Sequence, residues 1–205
     1  MLSTLSINKL KFLLIVLTGL MFGFSYKPEH AYKEFQDWLK VHGDRLIITK
    51  QYSKINFQLS YLPTEFFICQ NIVFKESITK KEIKELYEIN DHKVVFKLSL
   101  ESKDNENILM KYSLDKEEYM QKQYYFMEGI NHDVYMISGN DTLFPVKVDY
   151  ENNYNLLPNV NLTVEFEKIK NRKNDLLVFE DRFFENNKIE FEISELESLK
   201  IPKIK

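Results

Sequence analysis

Cysteine and glycine are scarce in this chain of 205 residues, which contains one cysteine and five glycines. The single cysteine, Cys69, cannot form an intramolecular disulfide, so the fold must be stabilised by packing. We interpret Cys69 as a small buried apolar residue, because the sequence identifies no base that would activate its thiol. The small number of glycines also argues against a glycine-rich phosphate-binding loop.

Common catalytic and metal-binding motifs are missing as well. The sequence contains no G-x-S-x-G and no H-E-x-x-H. None of the four histidines has a second ligand at the spacing that zinc sites use: His30, His42, His92 and His132. His132 and Asp133 are adjacent, but neighbours on a strand point to opposite faces and cannot act together without a turn. We therefore predict no metal site and no cofactor, and we assign no catalytic residue.

The first 25 residues have the three parts of a secretory signal peptide. Lys9 and Lys11 precede the apolar run 12–24, and the run ends in the small-residue pattern Gly-Phe-Ser. We predict that residues 1–25 are a signal peptide cleaved after Ser25, which makes the protein periplasmic or extracellular. An uncleaved membrane anchor is the alternative, although spanning a bilayer takes roughly 20 apolar residues and this run is shorter.

Charge and length argue for one domain without a nucleic-acid partner. Removing Lys9 and Lys11 takes the 28 basic residues to 26 against 31 acidic ones, and the formal charge from −3 to −5. Because both signs are interspersed, no basic surface for nucleic acid is expected. Residues 26–205 suit a single β-rich domain that begins with a helix.

Two helices are predicted from local signals. An apolar stripe at helical spacing covers 31–39, and Gly43 would end this first helix. Thr79 and Glu82 form a T-x-x-E capping box for a second helix that should reach about Ile89.

Strand patterns dominate the rest of the first half. Alternating apolar and polar residues predict strands over 45–51 and 55–61, and the apolar segment 65–73 is interpreted as another strand. Segments 94–100 and 108–112 predict a hairpin with a polar turn between them.

The second half continues in the same way. Residues 124–127 are interpreted as a strand, with helix as the alternative, and the turn 139–141 predicts a β-hairpin. Strands are also expected over 142–149 and 160–166, and Asn186-Asn187 should join a final hairpin from Phe183-Phe184. We predict a mainly β (α+β) fold, an antiparallel β-sandwich-like domain with two or three short helices; one curled sheet carrying the helices is the alternative.

Two loops offer residue types that recognition surfaces use. Loops 138–141 and 150–158 contain tyrosine, asparagine and aspartate, which we expect to be exposed there. The predicted partner-binding residues are Asn140, Asp141, Tyr150, Asn152, Asn153 and Tyr154. The alternative is that these residues serve the turns themselves. Closeness of the two loops would require a bend in the strand between them, for example near Pro145.

The C-terminal half also carries a resemblance. Gly139-Asn140-Asp141-Thr142-Leu143, Tyr150-Glu151-Asn152-Asn153-Tyr154 and the ending Ile201-Pro202-Lys203 resemble exported proteins of Bacteroidota without an assigned activity. Those proteins often carry a lipobox cysteine, which this chain lacks. The resemblance implies residence in the cell envelope and no particular mechanism.

These observations lead to one function and two alternatives. We expect a non-catalytic exported envelope protein, a β-rich module that binds another protein or a surface component. A secreted hydrolase with carboxylates from several strands is one alternative. An inhibitor or immunity protein that neutralises a secreted toxin is the other. Contact with the membrane is expected only through the signal segment, if it is not cleaved.

Overall fold

The computed structural model describes residues 29–73, 75, 78–151, 158–168, 175–184 and 188–204. These residues form two compact units, a helical one of residues 29–46, 62–92 and 200–204, and a larger one of residues 47–61 and 93–199 that holds the sheets. The single domain expected over residues 26–205 stays a prediction. The predicted signal peptide lies outside the described residues. In the described part of the chain, no helix is long and apolar enough to cross a membrane.

The helical unit contains the two predicted helices. Helix α1 (Glu29–His42) buries Tyr32, Phe35 and Leu39 at helical spacing and continues into a 3-10 turn, Gly43–Leu46. This confirms the first predicted helix.

The segment predicted as a strand over 65–73 is instead helix α2 (Thr64–Val73), so that prediction was wrong. Its buried residues Glu65, Ile68, Cys69 and Ile72 follow i, i+3, i+4, i+7 spacing. Phe66 and Phe67 between them make the segment apolar on nearly every side, which hid the helical period behind a strand-like composition. Cys69 is buried, as expected.

Helix α3 (Lys80–Asn90) begins at the predicted capping box. The Thr79 hydroxyl accepts a hydrogen bond from the Glu82 amide at 3.2 Å, and Glu82 Oε2 accepts from the Thr79 amide at 2.7 Å. Two amide donors at the helix start are thereby satisfied. The prediction of this helix is confirmed.

The larger unit is a sandwich of antiparallel sheets, which confirms the predicted fold class. Its described strands are β1 (Ile47–Tyr52), β2 (Ile55–Leu62), β3 (Lys93–Ser102), β4 (Val134–Ser138), β5 (Asp141–Leu143), β6 (Lys147–Tyr150), β7 (Val160–Glu167), β8 (Leu176–Glu180) and β9 (Lys188–Glu192). One sheet has the order β1-β2-β3-β7-β6, and the other has the order β5-β4-β8-β9. Apolar side chains of both sheets, among them Phe96, Phe166, Met136 and Phe191, form one buried core.

Three further helices lie in this unit: α4 (Ile108–Lys111), α5 (Lys116–Tyr124) and α6 (Ser194–Glu197). The described residues therefore hold more helices than the two or three expected. The predicted hairpin of 94–100 with 108–112 was wrong, because β3 pairs with β7 and 108–112 falls on α4. Asn107 starts that helix by accepting a hydrogen bond from the Met110 amide at 3.0 Å.

The segment 124–127, interpreted as a strand, is also helical. Helix α5 continues through a π-helical turn, Tyr125–Gly129, and a 3-10 turn, Ile130–His132. The aromatic residues of this stretch suggested β structure, but Phe126 is buried against the sandwich core, and this tertiary contact outweighs local preference.

The hairpin turn at 139–141 is confirmed, but the strand predicted over 142–149 is interrupted and forms two strands, β5 and β6. Gly139 takes a positive φ of 61° in the turn that joins β4 to β5. After β5 the chain leaves the four-stranded sheet, passes Pro145, and enters the five-stranded sheet as β6. Proline has no amide hydrogen for a sheet and interrupts strand pairing at this point.

The last hairpin has a different first strand from the predicted one. Strand β8 pairs with β9, and Phe183 and Phe184 lie in the connection between them. Both of their amides donate to Asp181 Oδ1 at 2.9 Å, which holds the chain in a turn.

Candidate functional site

The predicted recognition residues occupy different environments. Asn140 and Asp141 are exposed at the tip of the β4–β5 hairpin. Tyr150 is half-buried at the end of β6, where its ring stacks on Phe126 with the ring centroids 6.2 Å apart. Asn152, Asn153 and Tyr154 lie outside the described residues. Partner binding by these six residues stays a prediction.

The outer face of the four-stranded sheet brings together apolar side chains that lie far apart in sequence. Met136, Leu177 and Phe191 point into the core, so their strand neighbours point outward. The register places Tyr135 opposite Val178 and Ile137 opposite Leu176, and Phe144 follows β5 beside Tyr135. We call the four residues Tyr135, Ile137, Phe144 and Leu176 the outer strip; Val178, opposite Tyr135, is fully buried.

Phe144 is the most exposed member of the outer strip. Its side chain is 55% exposed, and Val146 beside it is 60% exposed. The Phe144 ring lies 6.1 Å from the Tyr135 ring and 6.3 Å from the exposed His132 ring, measured between centroids. Three aromatic rings thus meet at this edge of the sheet and present one apolar surface to solvent.

Charged residues border the outer strip on β8 and β9. The Tyr135 hydroxyl donates to Glu180 Oε1 at 2.7 Å, and burial together with this bond raises the pKa of Tyr135. Lys188 pairs with Glu190 at 3.0 Å, and the hydrogen bond to Glu190 raises the pKa of Lys188. Glu192, the last residue of β9, lies opposite Leu176 of β8.

The border of the outer strip is therefore mainly acidic. On the described part of β8 and β9 it has the carboxylates of Glu180, Glu190 and Glu192 against the ammonium group of Lys188. An apolar surface with such a border is complementary to a basic partner.

The adjacent pair His132 and Asp133 is split between surface and interior. Asp133 is 1% exposed and accepts hydrogen bonds from Arg182 at 2.5 Å and from the Tyr125 hydroxyl. Burial, together with the hydrogen bond to Asp133, raises the pKa of Tyr125. The hydrogen bond to the same carboxylate raises the pKa of Arg182. The carboxylate of Asp133 is occupied in holding three segments together, which is a structural role.

In the helical unit, buried ionisable groups meet between α2, α3 and the C-terminal segment. The Tyr87 hydroxyl donates to Glu65 Oε1 at 3.2 Å and accepts from the Ile204 amide at 2.8 Å. Burial raises the pKa of Glu65, and burial with the nearby Glu65 charge raises the pKa of the Cys69 thiol to about 12. This environment keeps Cys69 protonated, whereas a nucleophilic cysteine requires a lowered pKa.

Within the described ranges, no group of three or more histidine, cysteine, aspartate or glutamate side chains is placed to hold a metal ion. The sequence did not indicate that the rings of Tyr135 and Phe144 meet on the outer strip, because both are residue types common in strands. Only the register of β4 with β8, and the break at Pro145, show that both rings lie on the outer face.

The fold and the outer strip define a β-sandwich with an exposed aromatic surface. The chain matches no protein-family model, no curated protein and no solved structure. A function therefore has to be argued from the geometry of this surface.

Proposed function

We propose that this protein is a non-catalytic module of the cell envelope that binds another protein through the outer strip. The observation that carries the proposal is the exposed ring of Phe144, which contacts the His132 ring edge-on and the Tyr135 ring at a tilt. Aromatic side chains on an apolar surface are frequent among the residues that dominate binding energy.

The border of the strip indicates the chemistry of the partner. The acidic groups Glu180, Glu190 and Glu192 lie along one side of the strip and, with Lys188, give that side a net negative charge. We infer that the partner presents an apolar side chain flanked by lysine or arginine. Charge complementarity of this kind speeds association and selects against acidic surfaces.

Envelope residence rests on the first 25 residues and on the resemblance to exported proteins of Bacteroidota. The lysines before the apolar run and the small residues at its end support export. Partner binding by the outer strip does not depend on whether cleavage occurs after Ser25.

Of the alternatives, the hydrolase would need carboxylates that converge on a substrate-accessible pocket. The buried carboxylate of Asp133 is engaged by Arg182 and Tyr125, and Glu65 is engaged by Tyr87. The inhibitor class remains compatible with the proposal, because such a protein also acts by binding another protein.

Capture of partners from envelope extract by the immobilised protein tests the proposal. Phe144→Ala is expected to reduce capture about tenfold, as loss of an aromatic anchor does. Because Phe144 is more than half exposed, the melting temperature should change little. Glu190→Lys should also weaken capture, and added salt should weaken capture by the unchanged protein.

Leu114→Ala is the matched control, because Leu114 is 96% exposed and lies outside the outer strip. The proposal fails if Phe144→Ala and Leu114→Ala capture the same proteins in the same amounts as the unchanged protein. Identification of a captured protein without a basic surface would overturn the inferred chemistry of the partner.

A further inference from the structure

We propose that two copies of this chain associate through the exposed face of α5 in antiparallel orientation. This surface is separate from the outer strip, and its occupant is a second copy of the chain.

Helix α5 and the turn after it expose three large apolar side chains. Met120 is 57% exposed, Tyr124 is 68% exposed and Met127 is 48% exposed. They follow one another at intervals of four and three residues, which brings them to neighbouring positions on a helical surface. Met120 and Tyr124 also line a shallow groove of about 520 Å³, together with Lys116, Glu117 and Gln121.

The opposite face of the same segment is firmly held. Lys122 is 1% exposed, donates to the carbonyl of Tyr112 and pairs with Glu118 at 2.8 Å. Phe126 is completely buried in the sandwich core. Since these contacts fix the rotation of the segment, Met120 and Tyr124 cannot turn inward, and their exposure is a stable property of the fold.

The ends of the exposed face carry opposite charges. Lys116 lies at the start of α5, and the exposed Glu128 lies twelve residues later, about 18 Å along a helix axis. Within the described part of the chain, neither side chain belongs to an ion pair. Both charges are thus available to a partner.

Antiparallel pairing about a two-fold axis at the level of Lys122 matches Met120 with Tyr124 and Lys116 with Glu128, whereas Met127 faces Glu117 of the second copy. Met120 then lies opposite Tyr124 of the partner subunit, and Lys116 lies opposite Glu128 of the partner subunit. Two-fold symmetry repeats each contact, so two ion pairs flank two methionine–tyrosine contacts. Parallel pairing would place like charges opposite each other. This self-complementarity favours a second copy over an unrelated partner.

Sedimentation of the purified protein over a range of concentrations tests the proposal. The unchanged protein is expected to form a reversible dimer. The variants K116E and E128K should each raise the dimer dissociation constant about tenfold or more, because each places like charges at both ends of the interface. An equimolar mixture of K116E with E128K should form a heterodimer, because position 116 of each copy faces position 128 of the other. One ion pair is then the original one, and in the second pair the positive and negative side chains have changed places.

Two further variants make the test specific. K54E makes the same change in net charge at an exposed turn outside α5 and should leave the dimer unchanged. Phe144→Ala should also leave it unchanged, so failure of this inference is distinguishable from failure of the proposed partner-binding surface. The inference is overturned if the unchanged protein is monomeric at every concentration, if the single variants dimerise normally, or if their mixture does not associate.

Discussion

Removal of the Asp133 carboxylate is expected to destabilise the protein through one identifiable partner, the hydroxyl of Tyr125. Asp133 lies directly before β4, and its carboxylate is shared between Tyr125 in the π-helical turn and Arg182 after β8. Asp133→Ala breaks both bonds at once. The two bonds contribute unequally, because the two donors differ in exposure.

The loss of unfolding free energy on Asp133→Ala depends on whether each donor finds another hydrogen-bond acceptor. The Arg182 side chain is 60% exposed and returns to water, so its bond contributes at most about 1 kcal/mol. The Tyr125 hydroxyl is partly buried and loses its acceptor, which costs about 1–3 kcal/mol. Asp133→Ala should therefore lower the free energy of unfolding by about 1–4 kcal/mol.

A double-mutant cycle isolates the bond between the two side chains. Tyr125→Phe alone should cost about 1–2 kcal/mol, because a hydrogen bond to a charged group is lost while Arg182 still pairs with Asp133. In the Asp133→Ala background, Tyr125→Phe should be neutral or stabilising, because it removes a hydroxyl that has no acceptor. Urea unfolding followed by circular dichroism measures all four proteins.

Tyr135→Phe is the matched control. It removes a tyrosine hydroxyl that donates to an exposed carboxylate, Glu180, at 2.7 Å, and it should change the free energy of unfolding by less than about 0.5 kcal/mol. Equal costs of Tyr125→Phe with and without Asp133 would refute the reasoning, because the hydroxyl and the carboxylate would then not be coupled.

Further predictions concern the helical unit and the leader. Thr79→Ala should cost about 1 kcal/mol in urea unfolding, and an unchanged midpoint would mean that α3 does not begin there. The hydrogen bond from the Thr79 amide lowers the pKa of Glu82 from 4.5 to about 2. This carboxylate therefore contributes stability that is present above pH 4.5 and lost as the pH falls towards 2. Glu82→Gln should reduce that loss of stability in melts at acid pH. Cys69 should react with a thiol reagent only after unfolding, and rapid labelling of the folded protein would contradict its burial. N-terminal sequencing of the exported protein should start at or near Tyr26, whereas an intact Met1 on cytoplasmic protein would exclude the signal peptide.

Features that depend on a few neighbouring residues were predictable. The capping box of Thr79 and Glu82 was recognised because both partners lie within one helical turn. The turn at Gly139 and the alternation along β3 and β7 were predictable for the same reason, since a strand buried on one face repeats every two residues.

Helix α2 shows where local reasoning failed. Its residues are apolar on nearly every side, so neither the period of two nor the period of 3.6 stands out. Helix α4 spans only Ile108–Lys111, too short to display a period, and it depends on the cap supplied by Asn107.

Composition and contacts between near neighbours were enough to predict the antiparallel β class and two of the helices, and the predicted leader depends on the same kind of local signal. The sheet that each strand joins, the crossing at Pro145 and the place of Phe144 beside Tyr135 on an outer face could be seen only in the folded chain. Strand register is a contact between residues far apart in sequence, and a shift of one residue would turn those rings into the core. Local spacing carries no information about that choice, so the candidate site became visible only with the fold.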